Sequence, residues 1–330
     1  MRDAATVALA LGLGWAATGI YIRLARRRNW LAPVTPRSMH RQPVPVGGGV
    51  AVVALVLALW VWRTWPPTLA ISTVLMGAAG LAALSWLDDL RPVPVLLRLA
   101  AHAAAVAAAL AGLAWSGSWS PGLPVLAVVG LAWLWFVNAF NFMDGIDGLA
   151  TVEAIAVAAG AAAVLAVQDG AAPAPALVIV GAAAGFLIWN WQPARVFLGD
   201  AGSIPLGFLL GWLLLDLVRR GLTAAAVILP LYFLADATLT LLRRLVRGAP
   251  VWQAHRAHAY QRAVLGGATM RAVVGRVACA NVVLCGLAVW SISQPMLALP
   301  AACAVVALLL AWLERAARRH TLPGGESNAA

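Results

Sequence analysis

Charged residues are scarce in this chain. They fill 11% of its 330 positions, against 63% that are hydrophobic. A soluble domain carries about a quarter charged residues, so a soluble fold is excluded. Cysteine is nearly absent, and Cys279, Cys285 and Cys303 all fall within apolar runs; that excludes a disulfide framework and a thiolate metal motif. No ten-residue alternation of apolar and polar positions is present, which excludes a transmembrane β-barrel. There is no repeat of fixed period and no linker long enough to separate domains, so residues 1–330 read as one domain. Lysine is missing altogether: all 23 basic residues are arginine, which reflects genome composition more than function.

What is present is a succession of apolar runs, each near the roughly 20 residues needed to cross a bilayer, with short polar breaks between them. The reading is an all-α, polytopic membrane protein of about eleven spans. These cover residues 4–22, 47–64, 67–87, 94–115, 123–142, 148–167, 175–191, 203–218, 222–242, 273–292 and 296–313. The net charge of +11 comes from arginines in the loops, which is the topology signal of the positive-inside rule and not a nucleic-acid footprint. With the N-terminus outside, inner segments hold 18 of the 23 arginines and outer segments 4, with Arg98 inside a span. That predicts N-out, C-in. Arg219 and Arg220, on a short outer loop, run against the trend. The first apolar run is followed at once by Arg23, Arg26, Arg27 and Arg28, which predicts an uncleaved first helix.

Acids are also few, yet Asp88, Asp89, Asp144, Asp147 and Asp200 all map to the inner face, in loops 88–93, 143–148 and 192–203. Charge near a bilayer costs about 2.5–3.5 kcal/mol to insert, and five carboxylates on one face repel each other. A divalent cation with a phosphate-bearing substrate resolves both problems. Oxygen-only ligands suit Mg²⁺, with Mn²⁺ as the alternative. V-F-L-G-D-A-G-S (196–203) and D-G-I-D-G-L (144–149) each precede a predicted helix, whose N-terminal N–H groups favour anions. The inner loop 243–272 carries His255, Arg256, His258 and Arg262, either a cationic clamp on a diphosphate or a basic segment against lipid headgroups. Loop 23–47 ends in His40, Arg41 and the Gly47–Gly49 run, either a rigid turn or a place where substrate approaches the backbone closely. Asp236 is a functional acid or a partner of Arg243 or Arg244, while His102 reads as a helix-packing residue and Glu153 as a brace for the 143–148 loop.

The order of these motifs resembles the polyprenyl-phosphate N-acetylhexosamine-1-phosphate transferases of the MraY/WecA type, over residues 37 to 265. His40, Pro45, Gly48 and Gly49 are similar to the family's His, Pro, Gly-Gly pattern, and Asp88-Asp89 to its aspartate pair. Asn138, Asn141, Asp144, Gly145, Asp147, Gly148 and Leu149 match N-x-x-N-x-x-D-G-[IL]-D-G-L in full. Pro193, Ala194, Phe197, Gly199, Asp200, Gly202 and Ser203 match P-A-x-x-F-x-G-D-x-G-S, and Pro230 with Asp236 resembles a late-helix pair. The departure is at H-x-H-H, where His258 is followed by Tyr260 and Gln261, a pattern similar to the branch that initiates O-antigen with 6-deoxy amino sugars.

The resemblance implies transfer of a sugar-1-phosphate from a UDP-N-acetylhexosamine, 6-deoxy or not, to undecaprenyl phosphate, with release of UMP. It implies a bacterial inner-membrane protein, in contact with membrane lipids and not nucleic acid, whose site faces the cytoplasm; a homodimer is compatible with it. It assigns catalysis to Asp88, Asp89, Asp200 and His258, with Asp88 as base or lipid-phosphate positioner and Asp89 and Asp200 as Mg²⁺ ligands. Nucleotide-sugar binding falls to Asn138, Asn141, Asp144, Asp147, Phe197, His40 and Arg41, and phosphate binding to His255, Arg256, Arg262 and Arg195. The alternatives are the peptidoglycan-precursor transferase of the same family, disfavoured because nothing suggests a peptide-bearing substrate, and a lipid or ion transporter. A transporter would place its polar residues near mid-bilayer in repeated halves, whereas here they collect at one face.

Overall fold

A computed structural model describes residues 2–32, 43–249 and 255–318. In chain order it contains α1 (Arg2–Arg27), β1 (Leu31–Ala32), β2 (Val44–Pro45), α2 (Gly49–Arg63), α3 (Leu69–Leu90), α4 (Val95–Trp115) and α5 (Leu123–Phe142). There follow α6 (Leu149–Asp169), α7 (Ala174–Asn190), α8 (Asp200–Arg219), α9 (Thr223–Ile228), α10 (Leu231–Val246), α11 (Ala259–Leu265), α12 (Met270–Trp290) and α13 (Pro295–Arg318). Eight of these helices are long and apolar enough to cross a membrane, and α2 and α7 are shorter apolar helices. The chain is therefore a helical, polytopic membrane protein by length and composition. Two details correct the sequence reading. A short antiparallel ribbon, Leu31 opposite Pro45 and Ala32 opposite Val44, interrupts the all-α expectation. The span expected at 222–242 is two helices, α9 and α10, because Pro230 offers no N–H to carry the first one onward.

The axis of the bundle is α8. Every residue from Ala201 to Leu215 is buried, so this helix meets protein on all sides where the outer helices turn a face to lipid. It packs against α2, α3, α5 and α6. Trp133 of α5 donates its indole N–H to the Phe208 carbonyl at 3.1 Å and stacks on the Phe208 ring. On the other flank α1 lies along α7. A side chain at Gly185 would place its Cβ 2.3 Å from the Leu11 carbonyl oxygen, so the two backbones meet directly, the small-residue mode of packing that lipid, with no hydrophobic drive of its own, favours.

At the far end of α8 from Asp200, the two arginines that contradict the charge trend are neutralised. Arg219 pairs with Asp216 at 3.4 Å, and Arg220 with Asp216 at 3.1 Å and with Asp169 of α6. Deeper in the bundle, Asn281 of α12 donates to the fully buried Glu153 of α6 at 2.7 Å. Glu153 thus ties α12 to α6 and does not brace the 143–148 loop. Stranding one partner of a buried hydrogen bond costs about 1–3 kcal/mol, whereas replacing both with apolar groups can be neutral. Glu153→Ala should therefore lower the thermal midpoint in detergent clearly, and Glu153→Leu/Asn281→Leu should recover most of the loss. A double variant as unstable as the sum of its single changes would show that the pair is not the connection.

Candidate active site

The site is built where α3 ends and α8 begins. The Asp89 carboxylate accepts the N–H groups of Asp200 and Ala201, each at 3.2 Å, and so satisfies two of the donors that a helix start leaves open. Its neighbour Asp88 accepts the Val93 N–H at 2.6 Å and the Arg98 guanidinium at 2.6 Å, and the same guanidinium nitrogen lies 3.1 Å from Asp200. Arg98 of α4 therefore bridges two carboxylates. The Gly47–Gly49 run packs onto the loop before α8, with Gly48 N–H donating to the Phe197 carbonyl and Gly49 N–H to the Leu198 carbonyl, both at 2.9 Å. A Cβ on Gly49 would lie 2.1 Å from the Gly202 Cα. The close approach that these glycines permit is to the chain's own backbone.

The 143–148 loop is stitched to the 191–199 loop. Asp147 accepts the Ala194 N–H at 3.0 Å. Asn190, buried, accepts from the Gly148 N–H at 3.1 Å and the Thr151 hydroxyl at 2.8 Å, and donates to the Val196 carbonyl at 2.9 Å. Asn141 accepts the Ser203 hydroxyl at 2.7 Å. Asn138 turns inward, with its carboxamide 3.3 Å from the His102 ring and donating to the Leu134 carbonyl, so the two form a helix-packing pair. Asp144 is different. It has no hydrogen-bond donor among the described residues, and burial, then Asp200, Asp89 and Asp147, push its carboxyl up to about 8.

Among the described residues no three His, Cys, Asp or Glu side chains converge to hold an ion by themselves. The donor set nonetheless fits a hard divalent cation. It is all oxygen, it carries an excess of negative charge, and it includes an unpartnered carboxylate at Asp144. Mg²⁺ characteristically uses one or two carboxylates and completes its shell with substrate phosphates and water.

The histidine segment, His255 to His258, leads into α11 and is anchored by Asp236. That buried carboxylate accepts the Ala259 N–H at 2.9 Å, the Thr240 hydroxyl at 3.1 Å and the Tyr232 hydroxyl at 3.3 Å, with His258 Nδ1 at 3.6 Å. Its partners are thus Tyr232 and Thr240 of its own helix and the start of α11, while Arg243 pairs with Glu314. Tyr260 is buried, stacks on His258 and donates to the Phe142 carbonyl at 3.4 Å, beside Gly145. Gln261 accepts the His258 N–H at 3.3 Å. Tyr260 and Gln261 therefore hold the 143–148 loop and the start of α11. His255, half-buried, is pushed down to about 4 by burial, then by His258 and Arg244, and is neutral near pH 7. Arg262 is ion-paired with Glu314 of α13, which also takes Arg243 at 2.7 Å. The expected four-residue clamp is thus not gathered around one point.

The sequence model of glycosyl transferase family 4 matches residues 71–218, the stretch that contains Asp88, Asp89, Asp144, Asp147 and Asp200. The chain belongs to glycosyl transferase family 4. Among its relatives, a Streptomyces coelicolor protein named as a glycosyltransferase is 36% identical over 264 residues, 71% of this chain and 61% of its own length. A Bacillus subtilis protein named for undecaprenyl-phosphate N-acetylglucosaminyl 1-phosphate transfer is 27% identical over 280 residues, 77% of this chain and 75% of its own. A Mycobacterium leprae protein named decaprenyl-phosphate N-acetylglucosaminephosphotransferase is 30% identical over 239 residues, 64% of this chain and 60% of its own. The chain thus spans under two thirds of the Streptomyces and Mycobacterium relatives.

In this family 4 chain the structure brings together Asp88, Asp89, Asn141, Asp144, Asp147 and Asp200, with Phe197 on the loop before α8. Arg195 lies apart, over the Trp189 ring at 5.6 Å. His40 and Arg41 lie outside the described residues. Two functional residues escaped the sequence reading. Arg98 carried a signal, since an ionisable residue inside an apolar span is a site hypothesis by default. Asn190 carried none, being one amide at the end of an apolar run.

The Asp144 carboxyl yields a pH prediction. In the unfolded chain it ionises near 3.8, as an ordinary aspartate does, and in the folded protein only near 8. Between those values the folded state binds more protons, so its stability falls as pH rises. Metal-free wild type should lose thermal midpoint from pH 5 to pH 8, and Asp144→Asn should make that slope shallower. Parallel curves for the two proteins would contradict the assignment.

Proposed function

We propose that this protein transfers an N-acetylhexosamine-1-phosphate from a UDP-sugar to a polyprenyl phosphate and releases UMP. The observation that carries this reading is the carboxylate cluster at the α3–α8 junction, assembled from motifs of a family whose relatives are named for this transfer. An oxygen of the acceptor phosphate attacks the β-phosphorus of the donor. The new P–O bond forms as the bond from that phosphorus to the bridging oxygen breaks, and UMP leaves with the oxygen. Positioning and charge neutralisation supply most of the catalysis in such a reaction.

The residues divide the work. Arg98, which spans Asp88 and Asp200 in the absence of substrate, can turn to the acceptor phosphate. Asp88 would then be free to orient that phosphate or take its proton. Asn141, Asp144 and Asp147 line the nucleotide side, with Asp147 also steadying Ala194. Asp89 and Asp200 would hold Mg²⁺, or Mn²⁺ in its place, with Asp144 adjacent. The bound ion would neutralise charge on the diphosphate. His255, neutral near pH 7, and Arg256 would meet the diphosphate from the α11 side.

Eight long apolar helices, the shorter α2 and α7, and the α9–α10 pair make the eleven crossings of this reading. The arginine distribution supports N-out, C-in in a bacterial inner membrane, with the site toward the cytoplasm. The pairing of Arg219 and Arg220 with Asp169 and Asp216 supports it further, since it removes their charge from the count.

Purified protein in detergent, given undecaprenyl phosphate, Mg²⁺ and UDP-N-acetylglucosamine or a 6-deoxy analogue, should release UMP with at least one donor. EDTA should stop release and Mg²⁺ restore it. Asp200→Asn should cut turnover by roughly 10²–10³-fold, the scale of losing one preorganised electrostatic contact, with the thermal midpoint kept. Turnover unaffected by EDTA, or near-normal in Asp200→Asn, would sink the metal assignment.

A further inference from the structure

Away from the carboxylates, a groove of about 530 Å³ runs between α1 and α7, within the roughly 300–1,000 Å³ of ligand sites. Trp15, Ala16 and Trp189 form its apolar wall, Arg23, Arg26 and Arg195 also line it, and no acidic residue does. Trp15 and Trp189 stack at 6.0 Å, and the Trp189 indole donates to the Trp15 carbonyl at 3.0 Å, so the wall is rigid. Elsewhere Arg98, Arg219, Arg220, Arg243 and Arg262 are matched to carboxylates. Arg23 and Arg26 have no carboxylate partner among the described residues, and Arg195 rests on the Trp189 ring.

We infer that this groove holds an anionic glycerophospholipid. Its phosphate sits among Arg23, Arg26 and Arg195, and an acyl chain runs along Trp15 and Trp189. Charge complementarity selects the occupant, because three guanidinium groups lining an apolar groove match an anion with a hydrocarbon tail. Length agrees. From Arg26 to Trp15 along α1 is about 16 Å at the helical rise, close to half of the roughly 30 Å hydrocarbon core, so the groove serves one leaflet. The lipid is a resident and not a reactant, since the groove is walled by α1 and α7 while the carboxylates project from α3, α8 and the 143–148 loop. It nevertheless touches the site's frame. Arg195 lies between Ala194, whose N–H holds Asp147, and Val196, whose carbonyl holds Asn190. This inference does not depend on the transfer reaction.

Thermal unfolding of the full chain in detergent, titrated with phosphatidylglycerol or with phosphatidylcholine of the same acyl chains, tests it. Phosphatidylglycerol should raise the midpoint by about 3 °C or more over phosphatidylcholine. Arg23→Ala/Arg26→Ala should lose most of that difference. Ala16→Phe, which keeps every charge and fills the groove, should lose it too, and decides the matter if the arginine variant does not fold. An undiminished shift in Ala16→Phe would mean attraction to surface charge alone and overturn the proposal. So would equal shifts from the two lipids. A larger shift from undecaprenyl phosphate that needs the same residues would make the groove an acceptor site, and a loss of dimers in Ala16→Phe without any lipid effect would make it an interface between copies; either result overturns the proposal.

Discussion

The carboxylate end of this protein depends on one tertiary cap. Asp89, the last acid of α3, accepts the first two N–H groups of α8. A negative group at a helix start is favoured by the open donors and by the dipole together. Here it comes from a different helix, so the same contact that finishes α8 also joins α8 to α3. That junction puts Asp88 and Asp200 within reach of a single arginine from α4. Without it the cluster would be a set of unrelated helix ends.

The two ends of α8 resolve charge in opposite ways. At the Arg219 end each arginine finds an aspartate, and the account closes within the chain. At the Asp200 end one arginine and a few backbone N–H groups face five carboxylates, and Asp144 is left with no donor among the described residues. The excess is local and one-sided. Folding alone does not call for these acids, so their presence together in a bundle this poor in charge is the mark of a site completed by something else.

Much of this was legible in the sequence and some was not. Runs of apolar residues show which segments are helical and lipid-compatible, because lipid imposes that pattern on every turn. The D-G-I-D-G-L and F-x-G-D-x-G-S loops declared themselves because polar residues are costly there. Long-range partners left no local trace. Nothing near Arg98 in sequence points to Asp200, and nothing near Asn190 points to Gly148. Arg262 looked like a free cation until α13 supplied Glu314. Tyr260 looked like a lost histidine in a phosphate site, but it is a buried hydroxyl that holds a loop. The break between α9 and α10 was visible in Pro230, but the apolar run continues across it and outweighed the proline.

The contact between Gly49 and Gly202 has a consequence for how the cleft can vary. Where two helices meet through side chains, their spacing can be retuned by exchanging one residue for a larger or smaller one. Here main chain rests on main chain, so the gap between α2 and α8 is set by backbone van der Waals contact that no substitution can shrink and any side chain would widen. Substitutions elsewhere around the carboxylates can change what lines the site, while the spacing of these two helices stays the same.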